Sequence, residues 1–210
     1  MKIITIPVTP YQQNCSLVIC STTKTAAIID PGGDCELILQ AIEKSGAQVK
    51  KIILTHGHLD HVGGAKILEN KLNVPILGPE KADDFLLQLL PEQSQQFQFP
   101  HQDAFVPKQW LKQGDQIVVG ALTLNVLHIP GHTPGHIALH EPKKKKVIVG
   151  DILFNNSIGR TDLPGGDHGL LIKGIKQKLF TLPQETTVYP GHGPLTTIEN
   201  ERMNNPYIRH

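Results

Sequence analysis

A run of metal-binding side chains at the end of a buried strand constrains this chain more than any other feature. Val49-Lys50-Lys51-Ile52-Ile53-Leu54 reads as a strand that runs into a sheet interior. It leads directly into Thr55-His56-Gly57-His58-Leu59-Asp60-His61. Between His56 and His61 stand three imidazoles and one carboxylate, at positions i, i+2, i+4 and i+5. Imidazole and carboxylate suit zinc and similar divalent ions. A ligand cluster at a strand end lies at the mouth of a sheet, where α/β proteins place their sites.

Three later segments repeat this design. Leu124-Asn125-Val126-Leu127-His128-Ile129-Pro130-Gly131 ends at His132, Val147-Ile148-Val149-Gly150 ends at Asp151, and Val188-Tyr189-Pro190-Gly191 ends at His192. Glycine before each ligand lets the backbone turn sharply and approach closely. The candidates are then seven: His56, His58, Asp60, His61, His132, Asp151 and His192. A mononuclear site takes three or four ligands. Seven suits two metals bridged by one carboxylate and a water or hydroxide.

The remaining composition excludes other classes. A chain of 210 residues with a net charge of +1 suits one domain with a sizeable core. Near-neutral charge argues against a broad nucleic-acid surface. The one basic cluster, Lys143-Lys144-Lys145-Lys146, follows Glu141-Pro142 and reads as a solvated turn. Met1 to Pro7 lacks the apolar stretch of a secretory signal, and no segment approaches the length of a bilayer span, so a cytoplasmic location is expected. Cys15, Cys20 and Cys35 are odd in number and read as small buried hydrophobes.

Strand patterns open the chain at 3–8, 16–20, 26–30 and 52–54, with a helix over 37–42 that Asp34 would cap and Gly46 would end. Helices are expected over 61–72 and 80–90, a strand at 74–77, and a Gln-rich loop over 91–107 that could act as a lid. A β-rich half follows at 116–119, 122–128, 137–140 and 147–149, then a helix near 170–180, a strand at 187–189 and a terminal helix near 198–203. Two similar halves of this kind predict an α/β (α+β) chain, two sheets face to face with helices outside: a four-layer αββα sandwich.

With these motifs in place the chain resembles the metallo-β-lactamase-fold hydrolases, from about residue 2 to residue 206. Ile29-Asp30-Pro31-Gly32-Gly33, Thr55 through Gly64, Pro130 through His136 and Ser157-Ile158-Gly159-Arg160-Thr161-Asp162 are similar in particular to the glyoxalase II (hydroxyacylglutathione hydrolase) group. Within that group the chain is similar in particular to the short, single-domain YcbL-type members. The resemblance implies a first metal on His56, His58 and His132, a second on Asp60, His61 and His192, and Asp151 bridging. It implies two divalent ions, zinc foremost with iron or manganese as alternatives. The implied reaction is hydroxide attack on S-lactoylglutathione, a glutathione thioester, in methylglyoxal detoxification, with Asp60 also orienting the hydroxide.

Asp30 is either a turn residue or a group that fixes a ligand imidazole, and His136 is a second such candidate. Arg160 falls where longer relatives hold the glycine carboxylate of glutathione; its other reading is a surface ion pair with Asp162. The helical C-terminal extension of the two-domain enzymes is not expected here, which points to weaker or broader substrate binding. His101, His128, His140, His168 and His210 match no ligand position. The chief rival is an iron-dependent persulfide dioxygenase of the same fold, which uses one metal. The intact set Asp60, His61 and His192 favours hydrolysis over it. A related thioesterase or lactonase remains open.

Overall fold

The computed structural model describes residues 1–208, so His210 lies outside the described residues. The first sheet contains β1 (Lys2–Val8), β2 (Gln13–Ile19), β3 (Thr25–Ile29), β4 (Gln48–Ile53) and β5 (Ile76–Leu77), hydrogen-bonded in that order. β1, β2 and β3 form an antiparallel meander. β4 and β5 then add in parallel, so the chain must cross over to enter each of them. The second sheet is built from β6 (Gln116–Val119), β7 (Leu122–His128), β8 (Ile137–Glu141) and β9 (Lys146–Gly150). A short hairpin, β10 (Leu153–Phe154) and β11 (Ser157–Ile158), precedes β12 (Thr187–Pro190) and β13 (Thr196–Thr197), which complete the second sheet in the order β13-β12-β9-β8-β7-β6.

Side-chain alternation along β3 shows how the layers arise. Ala26 and Ile28 face one way, into a core with Leu17, Ile52 and the helical residues Ile38 and Leu68. Ala27 and Ile29 face the other way, against Leu124, Val126, Leu139 and Ile148 of the second sheet. On the far side of that sheet Ala138, Val147, Val149 and Val188 pack on Leu171, Ile175 and Ile198. Three apolar layers between four layers of elements give the αββα sandwich that the sequence pattern predicts.

The helices are α1 (Cys35–Ser45), α2 (Leu59–Val62), α3 (Ala65–Leu72), α4 (Asp84–Gln88), α5 (Leu90–Gln96), α6 (His168–Gly174) and α7 (Ile198–Asn204). Five of the sequence expectations need correction. The helix expected over 61–72 is broken, because the Gly64 N–H bonds the Pro31 carbonyl rather than continuing the helix. That expected over 80–90 is a short 3₁₀ turn at Lys81–Asp83 followed by α4. The Gln-rich stretch is not all loop: Pro91 stands in the first turn of α5, where its missing N–H has no helical partner to lose. The helix near 170–180 is α6, prolonged by a wider π turn over Ile175–Leu179. Asp34 does precede α1, but its carboxylate accepts from the Thr9 N–H and caps nothing.

Among the described residues the three cysteines are free, and no helix is long and apolar enough to cross a membrane. The lysine run forms a turn, with Lys145 paired to Glu185 and Lys146 donating to the Tyr189 hydroxyl.

Candidate metal centre

The parallel strands β3 and β4 end side by side, at Asp30 and at Thr55-His56. β9 and β12 do the same in the other sheet, ending at Gly150-Asp151 and Gly191-His192. The two sheets are stitched where these ends meet: Ile137 N–H donates to the Thr55 carbonyl and Asn14 N–H to the Gly191 carbonyl, while Gly191 N–H bonds Gly150 within the second sheet. All seven candidate ligands sit at this one edge. His56, His58 and His132 form one cluster and Asp60, His61 and His192 another, each with donor atoms within 4.8 Å of one another. Asp151 stands between them, with Oδ1 3.3 Å from His61 Nε2 and Oδ2 3.7 Å from His132 Nε2 and 3.6 Å from His192 Nε2. Asp30, His56 and His61 make a third, fully buried group, in which Asp30 plays another part.

That part is to orient imidazoles. Asp30 accepts from the Thr55 hydroxyl at 2.6 Å, from the Thr55 N–H at 2.7 Å, and from His61 Nδ1–H at 3.0 Å. With its proton given to Asp30, the Thr55 oxygen is left to accept from His56 Nδ1–H at 3.0 Å. His132 Nδ1–H donates to the Arg160 carbonyl at 2.8 Å, and His192 Nδ1–H to the Tyr11 carbonyl at 3.2 Å. In all four rings the outer nitrogen is tied down and Nε2 faces the mouth, as metal-ligating histidines require. His58 presents Nδ1 instead. His136 binds no common centre; its Nε2 accepts the Asp151 N–H at 3.0 Å, and its ring stacks on His56. Both candidates for supporting roles, Asp30 and His136, therefore hold ligand positions in place.

The electrostatics divide the site in two. Burial pushes His56 well below its ordinary value, brings His58 to about 3, and lowers His132, each with neighbouring imidazoles near. These rings are neutral and offer lone pairs. Burial also opposes charge on His61, but Asp151, Asp60 and Asp30 outweigh it and raise the ring well above its ordinary value. His192 is raised too, burial being outweighed by Asp60 and Asp151. Asp151 lies far below the carboxylate range, since His61, His132 and His192 overcome its burial.

The cluster is not self-sufficient. His58 Nδ1 lies 3.1 Å from His56 Nε2 and 2.9 Å from His132 Nε2. One proton cannot serve both contacts, so lone pairs are left facing each other. His61 Nε2 and Asp151 Oδ1 are buried 3.3 Å apart, yet neither makes a well-directed hydrogen bond to the other or to any other described residue. Nitrogen donors around a tetrahedral zinc at about 2.0–2.1 Å are separated by about 3.4 Å, close to the spacing here. A divalent cation resolves both problems, and this donor set is one for divalent metal.

The match to known proteins agrees. Residues 8–192 fit the Metallo-beta-lactamase superfamily. The chain belongs to that superfamily. It is a metal-dependent hydrolase of the group. It is 47% identical over 209 residues to the hydroxyacylglutathione hydrolase GloC of Haemophilus influenzae, spanning 99% of this chain and 98% of that one. Among solved structures it is similar to the BLEG-1 B3 metallo-beta-lactamase, with TM-score 0.92, 34% identity and all of both chains covered. It is also similar to TTHA1623 in a di-iron-bound form, with TM-score 0.88 and 36% identity over 97% of this chain and 99% of that chain.

Above the candidate ligands opens a cavity of about 620 Å³. His58, Asp60, His132, Asp151 and His192 form its floor, and Tyr11, Phe97 and Phe99 part of its wall. Tyr11 and Phe99 stack with ring centroids 5.6 Å apart. α5 brings Gln93 to the same rim, so the Gln-rich segment is part of the wall. Arg160 also lines the cavity; its exposed guanidinium forks Asp162 through two bonds of 2.7 Å, which is the ion pair of its second reading. Its backbone carbonyl, rather than its charge, touches a candidate ligand.

Sequence reasoning missed Asp83. In Glu80-Lys81-Ala82-Asp83-Asp84 it reads as one more solvated charge of a helix start, yet it is fully buried against both halves of the site. Nothing local to its sequence signals that. His128 bonds the Pro134 carbonyl, and His101 sits in the solvent beside Asp103, both outside the cluster.

Proposed function

We propose that the chain hydrolyses the thioester of S-(2-hydroxyacyl)glutathione, with S-lactoylglutathione giving D-lactate and glutathione, at a site for two divalent ions. His56, His58 and His132 take the first ion, Asp60, His61 and His192 the second, and Asp151 stands between both. The observation that carries this reading is the donor set itself: seven side chains at one mouth, two of them with orphaned buried atoms. Full-length similarity to a hydroxyacylglutathione hydrolase supports the substrate class, and a similar protein crystallised with two irons supports the count of metals. The same donors accept zinc, iron or manganese, and zinc is the metal we assign.

Two such ions, when bound, supply a water acidic enough to attack near neutral pH and a Lewis acid for the acyl carbonyl. The chain's own groups do the rest. Asp60 is catalytic: its carboxylate, 3.2 Å from His192 Nε2 and half-exposed to the cavity, orients the attacking water. Asp30 and Thr55 keep His56 and His61 aimed. The aromatic wall of Tyr11, Phe97 and Phe99 shelters the acyl group from solvent. Arg160, steadied by Asp162, receives the carboxylate end of glutathione at the opposite rim. No serine or cysteine nucleophile is needed.

Purified protein with its metals quantified should hydrolyse S-lactoylglutathione equally with and without oxygen, at about two metals per chain. Absence of turnover with about one iron per chain, and oxygen uptake on a glutathione persulfide, would overturn the reading.

A further inference from the structure

Asp83 closes the 3₁₀ turn Lys81–Asp83 just before α4 and is not part of the cavity lining. Its Oδ2 accepts from the Gly57 N–H at 2.9 Å and from the Thr133 hydroxyl at 2.8 Å. Its Oδ1 accepts from the Gly135 N–H at 2.5 Å. Gly57 lies between His56 and His58, and Thr133 directly follows His132. One carboxylate thus joins the two loops, one from each sheet, that carry the three imidazoles of a single cluster. The neighbouring backbone fixes the same junction, since Glu80 N–H donates to the Gly135 carbonyl at 3.0 Å. No bond of Asp83 reaches Asp60, His61 or His192. His61 and His192 are held by other partners, Asp30 and the Tyr11 carbonyl.

We infer that Asp83 is a positioning residue specific to the first metal position, setting the distance between the His56–His58 loop and His132. The inference rests on the two-metal reading above. It depends on the charge state and shape of the acceptor, not on bulk: all three partners donate, and a carboxylate can accept all three. In Asp83→Asn one side of the group becomes an NH₂. Whichever way the amide turns, that NH₂ opposes a backbone N–H, from Gly57 or from Gly135. One loop must shift, and the nitrogens of His56, His58 and His132 no longer share a centre. Outer partners of ligands typically alter metal affinity 10–100-fold.

The test is a graded chelator titration of the two-metal protein at pH 7.5, with metal per chain measured at each step for wild type, Asp83→Asn, His132→Ala and His192→Ala. Melting of each metal-free protein serves as the fold control. The expected result is that Asp83→Asn melts within a few degrees of wild type when metal-free. It should lose one metal at 10–100-fold lower chelator, following the His132→Ala profile, and keep the other as wild type does. Glutathione-thioester turnover should fall with the lost metal and return when metal is added in excess. Equal weakening of both metals, loss following the His192→Ala profile, or no change would overturn the proposal while leaving the two-metal reading intact. A wild type that holds only one metal would overturn both.

Discussion

A single buried carboxylate can decide how a whole site behaves, and two residues here make that measurable. Asp30 reaches His61 directly and His56 through Thr55, so it supports a ligand of each proposed metal position. Asp30→Asn should weaken both metals together by about 10–100-fold, seen as a parallel shift of both steps in a chelator titration; a shift in one step alone would contradict the shared role. Asp83 makes a pH prediction. Burial outweighs its three hydrogen bonds and raises its carboxyl from 3.8 to about 6. A carboxyl raised in this way holds its proton more tightly folded than unfolded. Its contribution is present below about 3.8 and is lost as pH rises through about 6. Lowering pH from 7 to 4 should therefore favour wild type over Asp83→Asn by about 2 kcal/mol, most of the equivalent of that displacement. Denaturant unfolding of both proteins in chelator checks this, and stability curves that stay parallel with pH would refute it.

Turns at the strand ends bring the elements close enough for ligands of different sheets to meet, and they do so where a Cβ has no room. A methyl on Gly32 would lie 1.5 Å from the Asp60 carbonyl oxygen, and one on Gly191 2.2 Å from Asp151 Oδ1 and 2.7 Å from His61 Cε1. Gly191→Ala should leave a folded chain that binds less than one metal per molecule, because the added carbon displaces the ligands themselves. Gly32→Ala should cost several kcal/mol of stability, on the order of other overpacked cores, because its clash is with backbone. Circular dichroism melts paired with metal analysis separate the two, and full metal content in Gly191→Ala would show the turn to be more pliant than drawn. These turns also explain what the sequence could reveal. The apolar runs that end at a candidate ligand are local signals, so the longer strands, the αββα layering and the seven candidates could be read directly, whereas the two-residue strands could not. The breaks after Val62 and at Leu89 could not, because a bond to Pro31 and a proline in a first turn are decided by distant packing and by the tolerance of a helix start. Asp83 escaped for the same reason: its partners are 26, 50 and 52 residues away.

At the scale of the molecule each proposed metal joins the two sheets. His56 and His58 follow β4 and meet His132 from beyond β7; Asp60 and His61 meet His192 from the end of β12. The middle core, with Ile29 and Ile53 against Leu124 and Val126, holds the same sheets together without metal. Removing the ions should therefore leave the sandwich folded but loosen one edge of it. Ions present at about 100 times their dissociation constants would stabilise the fold by about 2.7 kcal/mol each. For a chain of this size each kcal/mol moves the melting point by about 2–4 °C, so chelation should lower it by roughly 10–20 °C. Hydrogen exchange should locate the change: amides of 55–61, 131–133 and 191–192 lose protection, whereas those of Ile53 and Leu124 keep it. A melting point indifferent to metal, or protection lost evenly through the inter-sheet core, would mean that the ions do not bridge the sheets and that the sandwich closes on apolar packing alone.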